Sequence, residues 1–387
     1  MEEVPTAVIA IRKLNKTTGA ARIALQQISI LKSMGYRVKV ICEKANKKTV
    51  ASYGADLKII PKLPLSSFIR RLWFSKRANA WCRQHRPSLV ISHGDMENSD
   101  IIYMHNCIDL AQEIMCPHVV GNQSDVSKIH HRVLQKSKYK LVVANSQMMA
   151  NDLIKRYKIP SEKVSISYPG FDDRQFNTSV KTSSRMKQRE ELGIKDKEKL
   201  IGLITSGDFK KRNLDLFADI AYELIHNSEI TYRFLVIGQG DITPYKEKAT
   251  KLGIEKHFTW KKTVPNVECY YVALDVFVLP AHIEEFGCVV LEAMACSTIP
   301  LISERVGAGE LLQNELKDLI IKGYDPKEWF QAIDDINHSN NSKITEKLVN
   351  TAKKYSYDYQ YDVLQGLISQ HLQNSIKDEA CFTQLKE

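Results

Sequence analysis

The chain has 387 residues, more than one ordinary hydrophobic core accommodates, so about two domains are expected. With 43% hydrophobic and 26% charged residues it has neither a disordered nor a fibrous composition, and no apolar run reaches the ~18 residues of a membrane-spanning helix. The net charge of +10 is uneven: residues 1–174 carry 28 Lys and Arg against 14 Asp and Glu, and the remainder 27 against 31, so the first half is suited to an anionic partner such as nucleic acid or a membrane surface.

The start, MEEVPTAVIAIRK, is acidic where a secretory signal would be basic, and a cytoplasmic protein is expected. Thr6–Ile11 reads as a first strand. The loop KLNKTTGAA follows, then a helix with apolar Ile23, Ile28, Leu31 and Met34, a stop at Gly35, and a strand at Val38–Cys42. This is the βαβ unit of a parallel sheet. Residues 57–94 contain no acidic residue, and LSSFIRRLWFSKRANAWCRQHRP within them sets Arg70, Arg71, Lys76, Arg77, Arg83 and Arg86 among Phe68, Trp73, Phe74 and Trp81. On a helix that composition gives an aromatic side with basic flanks, as in segments that lie on anionic membranes. A second basic stretch is KIHHRVLQKSKYK, 128–140.

Further strands are expected at Leu89–Ser92, Ile101–Met104 and Leu141–Asn145. The polar stretch 176–199 reads as a linker. The pattern then repeats: a strand at Leu200–Thr205, a helix at Asn213–His226, strands at Tyr232–Ile237, Phe258–Trp260 and Val276–Pro280, a helix from Gly287 and a strand near Ile299–Ser303. Two alternating series predict an α/β chain of two doubly wound domains, 1–175 and 200–350, with a helical tail at 351–387 packing back on the first. The eight cysteines lack CxxC spacing and read as buried thiols, and the histidines lack zinc spacing. GQG at 238–240 is too short for a dinucleotide fingerprint, which argues against a Rossmann oxidoreductase.

The most informative segment is PAHIEEFGCVVLEAMACSTIP, 280–300. A strand ends at Pro280 and a helix begins near Gly287, whose first amides can cradle a diphosphate. Glu292 falls among Val289, Val290, Leu291, Ala293, Met294 and Ala295, where a carboxylate is costly unless it accepts hydrogen bonds. The hydroxyls of a ribose would supply them.

The spacing from Glu284 to Glu292, with EEFG leading into LEAMA, resembles the E-x7-E signature of retaining glycosyltransferases of glycosyltransferase family 4, the lipopolysaccharide-core glucosyltransferases especially. The likeness extends to TSGDFKKRNLDLF (205–217), FLVIGQGD (234–241), the run 251–281, and 144–176. The resemblance implies the GT-B architecture, two facing Rossmann-like domains with the active site in the cleft between them. It implies that Glu292 holds the ribose, that Glu284 contacts the donor sugar, and that Gly287, Cys288 and Val289 offer amides to the donor. Val264 would recognise the base, and Gly207 lies in the glycine–basic segment. Lys211 and Arg212 would neutralise the leaving diphosphate, in an order reversed from the usual Arg then Lys. Arg174 would add a third cation from the N-terminal domain, Gly19 would belong to the N-terminal glycine loop, and His105 would lie near the donor sugar. Asp95 and Asp100 are open as acceptor-site acids. The resemblance further implies a nucleotide-sugar donor of the UDP-hexose type, a glycan or glycolipid acceptor, retention of configuration, no cofactor and no catalytic metal, while the basic aromatic segment 65–86 points to a protein peripheral to the inner face of the cell membrane. The competing reading is a nucleic-acid-binding protein using the basic half.

Overall fold

A computed structural model describes residues 4–14, 18–118, 124–136 and 138–384. It divides into two compact units, residues 1–169 with 357–387, and residues 170–356.

In the first unit β1 (Thr6–Ala10) is followed by β2 (Lys13–Leu14), α1 (Gly19–Ser33), β3 (Arg37–Cys42), β4 (Lys44–Ala45), α2 (Lys47–Ser52), β5 (Asp56–Ile59) and α3 (Ser67–His85). Then come β6 (Leu89–Ser92), β7 (Ile101–Tyr103), α4 (Ile108–Met115), α5 (Asp125–Lys136), β8 (Leu141–Ala144), α6 (Gln147–Tyr157) and β9 (Val164–Ile166). Seven strands pair in the order β5-β3-β1-β6-β7-β8-β9, all parallel. β1, β6, β7 and β8 are apolar almost throughout because both faces are covered, which is why their sequences run hydrophobic instead of alternating. α1 buries Ile23, Ala24, Ile28 and Leu31. It ends at Gly35, whose φ of +88° lets Tyr36 N–H return to the Leu31 carbonyl at 3.0 Å.

The second unit contains α7 (Thr178–Glu191), β10 (Lys199–Ile204), α8 (Leu214–Asn227), β11 (Tyr232–Ile237), α9 (Thr243–Lys251), β12 (Phe258–Lys261), α10 (Val267–Ala273), β13 (Val276–Leu279), α11 (Cys288–Ala295), β14 (Ile299–Ser303), β15 (Ile320–Ile321), α12 (Pro326–His338) and α13 (Ser342–Lys353). Its parallel sheet runs β12-β11-β10-β13-β14-β15. The core lies between this sheet and α8 and α12, around Phe217, Phe234, Leu214, Trp329 and Ile333. The last helix, α14 (Tyr357–Gln384), returns to the first unit, where Leu364, Leu367 and Ile368 join the core beside α1.

Three expectations are corrected. The stretch 176–199 is no linker, for it holds α7. That helix has few apolar residues because arginines fasten it. Arg185 donates to the carbonyls of Val272 (2.5 Å) and Leu274 (2.7 Å) and to Asp275, and Arg189 donates to the Ala273 carbonyl and to Asp275. The boundary lies at 169/170, not 175, because Phe171 N–H bonds the Tyr355 carbonyl at 3.2 Å and Phe176 packs edge-on against Tyr271. The tail begins at 357, after residues 351–356 have stayed with the second unit.

The aromatic residues of α3 also turn inward. Phe74 is fully buried, and Trp73 and Trp81 pack against the cluster of Val8, Ile41, Phe74 and Ala78. The Trp73 indole N–H donates to the Pro61 carbonyl at 3.2 Å. What faces outward is Leu65 and Ile69, nearly half exposed at 47% and 46%, with Lys62, Lys76, Arg77, Arg83 and Arg86. No helix among the described residues is long and apolar enough to cross a membrane.

Candidate functional site

The order of the second sheet reverses between β10 and β13, and ligands of such sheets bind beyond the carboxyl ends of the strands at that reversal. The turns after these two strands therefore frame the site. After β10 the chain makes a tight loop in which Gly207 has φ +142°, and a Cβ there would lie 2.5 Å from the Gln239 carbonyl oxygen. Asn213, at φ +56°, caps α8 by accepting the Leu216 N–H at 3.3 Å. Lys211 and Arg212 are held between these two fixed points.

After β13, Glu284 is pinned by its backbone. Its N–H donates to the Arg305 carbonyl and its own carbonyl accepts from Gly307, both at 2.9 Å. His282 N–H donates to the Lys211 carbonyl at 3.0 Å, tying one turn to the other. The side chains then meet across the reversal. Lys211 Nζ lies 2.7 Å from both carboxylate oxygens of Glu285, and Arg212 is ion-paired with Glu284. Both carboxylates are buried. Burial pushes the Glu284 carboxyl above the usual range, with the Arg212 guanidinium acting in the opposite direction.

Gly287 stands at the N-cap of α11 with φ +92°, and a Cβ would come within 3.1 Å of Glu284 Cγ and 3.3 Å of Val306. Cys288 and Val289 are the helix's first two residues. Glu292, one turn on and 4% exposed, accepts the Tyr271 hydroxyl at 3.0 Å, so a donor within the chain accompanies the carboxylate that was expected to rely on ribose hydroxyls. Val264 lies partly exposed in the turn between β12 and α10. Arg174 is exposed, its N–H bonded to Asp172, and it belongs to the second unit; the expectation that it comes from the N-terminal domain is corrected by the boundary at 169/170.

The remaining candidates lie in the first unit. Gly19 opens α1 after the Thr18 cap; residues 15–17 of its loop lie outside the described residues, and a Cβ at Gly19 would meet nothing within 4 Å. His105 follows β7 and lies edge to edge with His93, His93 Nδ1 and His105 Nε2 being 2.7 Å apart. Burial, and then the nearby His130, lower the His105 pKa to about 4. Asp100 accepts the Val90 N–H at 2.8 Å and Asp95 pairs with Arg71, so both carboxylates already have partners in the fold. Sequence reasoning passed over Glu285, Tyr271 and His93. Glu285 is visible beside Glu284, and its doubled carboxylate facing the doubled cation Lys211–Arg212 was the available signal. Among the described residues no group of three or more His, Cys, Asp or Glu could hold a metal ion.

Residues 17–175 match the family model Glycosyltransferase Family 4, and residues 184–355 match Glycosyl transferases group 1. An uncharacterized glycosyltransferase of Methanocaldococcus jannaschii, MJ1607, is 25% identical over 250 residues, 62% of each chain. A D-inositol 3-phosphate glycosyltransferase of Thermobispora bispora is 25% identical over 202 residues, 50% of this chain and 46% of that one. The chain thus spans less than two thirds of the length of these curated relatives. Among solved structures, WaaG, a glycosyltransferase involved in lipopolysaccharide biosynthesis, superposes with TM-score 0.75 at 18% identity, covering 93% of this chain and all of that one. Anabaena HepE in complex with UDP-glucose gives TM-score 0.73 at 15% identity, covering 95% of this chain and all of that one. The fold is GT-B, two Rossmann-like parallel α/β units on one chain.

Proposed function

We propose that this chain, whose two units carry domains of glycosyltransferase type, moves a hexose from a nucleoside diphosphate sugar, a UDP-hexose, onto a membrane-associated glycan or lipid acceptor such as lipopolysaccharide core. The observation that carries the reading is the meeting of Lys211 and Arg212 with Glu284 and Glu285 at the reversal of the second sheet, beside the N-terminus of α11. A diphosphate placed on those helix amides would have both cations beside it, and preorganised cations in a buried site stabilise the charge that develops as a leaving group departs. Glu292 would hold the ribose, Val264 would meet the base, Gly207, Gly287, Cys288 and Val289 would let the backbone approach the donor, and Glu284 and His105 would contact the sugar. Arg174 and Gly19 complete the proposed donor set. The competing nucleic-acid reading is not favoured, because the basic half is itself matched by a glycosyltransferase model.

The chemistry we propose retains the anomeric configuration and uses no metal or other cofactor. The bond from the anomeric carbon to the phosphate oxygen breaks, the acceptor oxygen bonds to that carbon from the same face, and the acceptor proton passes to the departing phosphate. Proton NMR of the product is expected to show the donor's anomeric configuration, with the rate unchanged by a chelator. An inverted product, or loss of activity on chelation, would sink this mechanism.

We also propose that α3 and the turn before it rest on an anionic membrane at the inner face of the cell membrane. The contact is through Leu65 and Ile69, ringed by Lys62, Lys76, Arg77 and Arg83, with the tryptophans serving the core. Each basic residue near such a surface is worth about 1 kcal/mol. Replacing those four with Gln should weaken binding to vesicles containing anionic lipid by at least about tenfold, at low salt, while donor hydrolysis persists. Equal vesicle binding by both proteins would remove the membrane from the reading, and tighter binding to duplex DNA at matched salt would revive the nucleic-acid alternative.

A further inference from the structure

His93 and Gln27 have no place in the chemistry above, yet they form a buried polar chain that ends on His105. His93 follows β6, at the point where the first sheet reverses its order between β1 and β6, and His105 follows the neighbouring β7. The two rings lie nearly parallel, 8° apart, with centroids separated by 5.0 Å, and the ring of His93 stacks against Tyr103. One nitrogen of His93, Nδ1, lies 2.7 Å from His105 Nε2, and the other, Nε2, lies 3.0 Å from the Gln27 amide oxygen on α1. The amide oxygen of Gln27 is thus the atom that faces His93.

These contacts admit one proton arrangement for neutral rings. An amide oxygen only accepts, so His93 must carry its proton on Nε2. Its Nδ1 is then an acceptor, and His105 must donate from Nε2. The Nδ1 of His105 is left with a lone pair. Both rings are neutral at ordinary pH: burial takes His93 well below the usual histidine range, with His105 adding to the effect, and burial holds His105 at about 4.

We propose that His93, oriented by Gln27, is a positioning residue that locks His105 in the Nε2–H tautomer, so that His105 offers Nδ1 as a hydrogen-bond acceptor to a hydroxyl of the donor sugar. The purpose of the relay rests on the reading above, in which His105 contacts that sugar. Which ring nitrogen carries the proton is commonly set by the bond the other nitrogen makes, and a sugar hydroxyl donating to a fixed lone pair is oriented by it.

The test is long-range proton–nitrogen NMR on the full chain labelled with 15N histidine, with the His93 and His105 signals assigned by substitution. His105 is expected to be the Nε2–H tautomer. His93→Phe keeps an aromatic ring without its nitrogens and should release that preference. His93→Asn places an amide oxygen where Nδ1 stood and should restore it. UDP-glucose hydrolysis should fall about tenfold in His93→Phe, the loss expected for one misdirected hydrogen bond, and recover in His93→Asn. An Nδ1–H tautomer in the unsubstituted protein, or an unchanged tautomer in folded His93→Phe, overturns the relay. A tautomer that shifts while hydrolysis stays unchanged in both His93→Phe and His105→Ala leaves the relay standing and removes the sugar contact instead.

Discussion

Arg212→Ala is expected to lower turnover by at least about a hundredfold and to lower the melting temperature as well, since it strands the buried Glu284 carboxylate. Charge builds on the departing diphosphate as the glycosidic bond breaks, and losing one preorganised donor in a buried site costs about two to three orders of magnitude. Arg212→Lys should recover part of the loss, because the charge returns without the planar fork. Lys211→Ala should carry the same double cost. Lys211 Nζ bridges both oxygens of Glu285, which is 3% exposed, so its removal strands a buried carboxylate and destabilises the fold by about 3 kcal/mol or more. The pair Lys211→Ala with Glu285→Gln separates the two effects: melting temperature should recover and turnover should not. Steady-state kinetics beside thermal unfolding reads both. Wild-type turnover in Arg212→Ala would place the diphosphate elsewhere.

The two signature glutamates should fail in different ways. Glu292→Ala is expected to weaken UDP binding by about tenfold to a hundredfold, the range for a lost hydrogen bond to a charged partner. Turnover at saturating donor should suffer less. Glu284→Gln should leave UDP affinity nearly intact and lower turnover, since contacts that strengthen as the sugar reacts are felt in the transition state. Tyr271→Phe is an informative companion, because it takes away the hydroxyl that Glu292 accepts at 3.0 Å without touching the carboxylate. If Tyr271 only orients Glu292, its loss should reduce affinity by less than the loss of Glu292 itself. Unchanged calorimetric UDP affinity in Glu292→Ala would end the ribose assignment.

The inner strands of the two sheets were readable because they are short apolar runs ending where polar residues begin, the pattern of strands covered on both faces, whereas the edge strands Asp56–Ile59, Val164–Ile166 and Ile320–Ile321 are only partly buried and were not read. The alternation of strand and helix then carried the architecture. The helix Thr178–Glu191 was not readable, because nothing in a polar sequence announces that two arginines will find three carbonyls and one carboxylate 84 to 90 residues away. The tryptophans of α3 misled for a related reason. An aromatic beside arginine suits either a lipid surface or a core edge, and only the packing of Trp73 and Trp81 on Phe74 and its neighbours decides between them. At the site, Glu284 and Glu292 stood out by spacing. The partners that restrain them did not: Tyr271 lies 21 positions from Glu292, and Arg212 lies 72 from Glu284. Likewise His93 and His105 are twelve residues apart, and the parallel pairing of β6 with β7 is what brings them together.

The return of the last helix to the first unit bears on how the molecule is made. Leu364, Leu367 and Ile368 complete the apolar layer beside α1, so this layer lacks three of its buried side chains until residue 368 has left the ribosome. The stretch 170–356 is contiguous and can reach its native state as soon as it emerges, whereas residues 1–169 must wait for a segment translated almost two hundred codons later. During that interval the face of α1 that will carry Leu364 is exposed to solvent. Chaperone capture of nascent chains is therefore expected at this face, and an expression fragment ending at residue 169 should be prone to aggregate where residues 170–356 alone stay in solution.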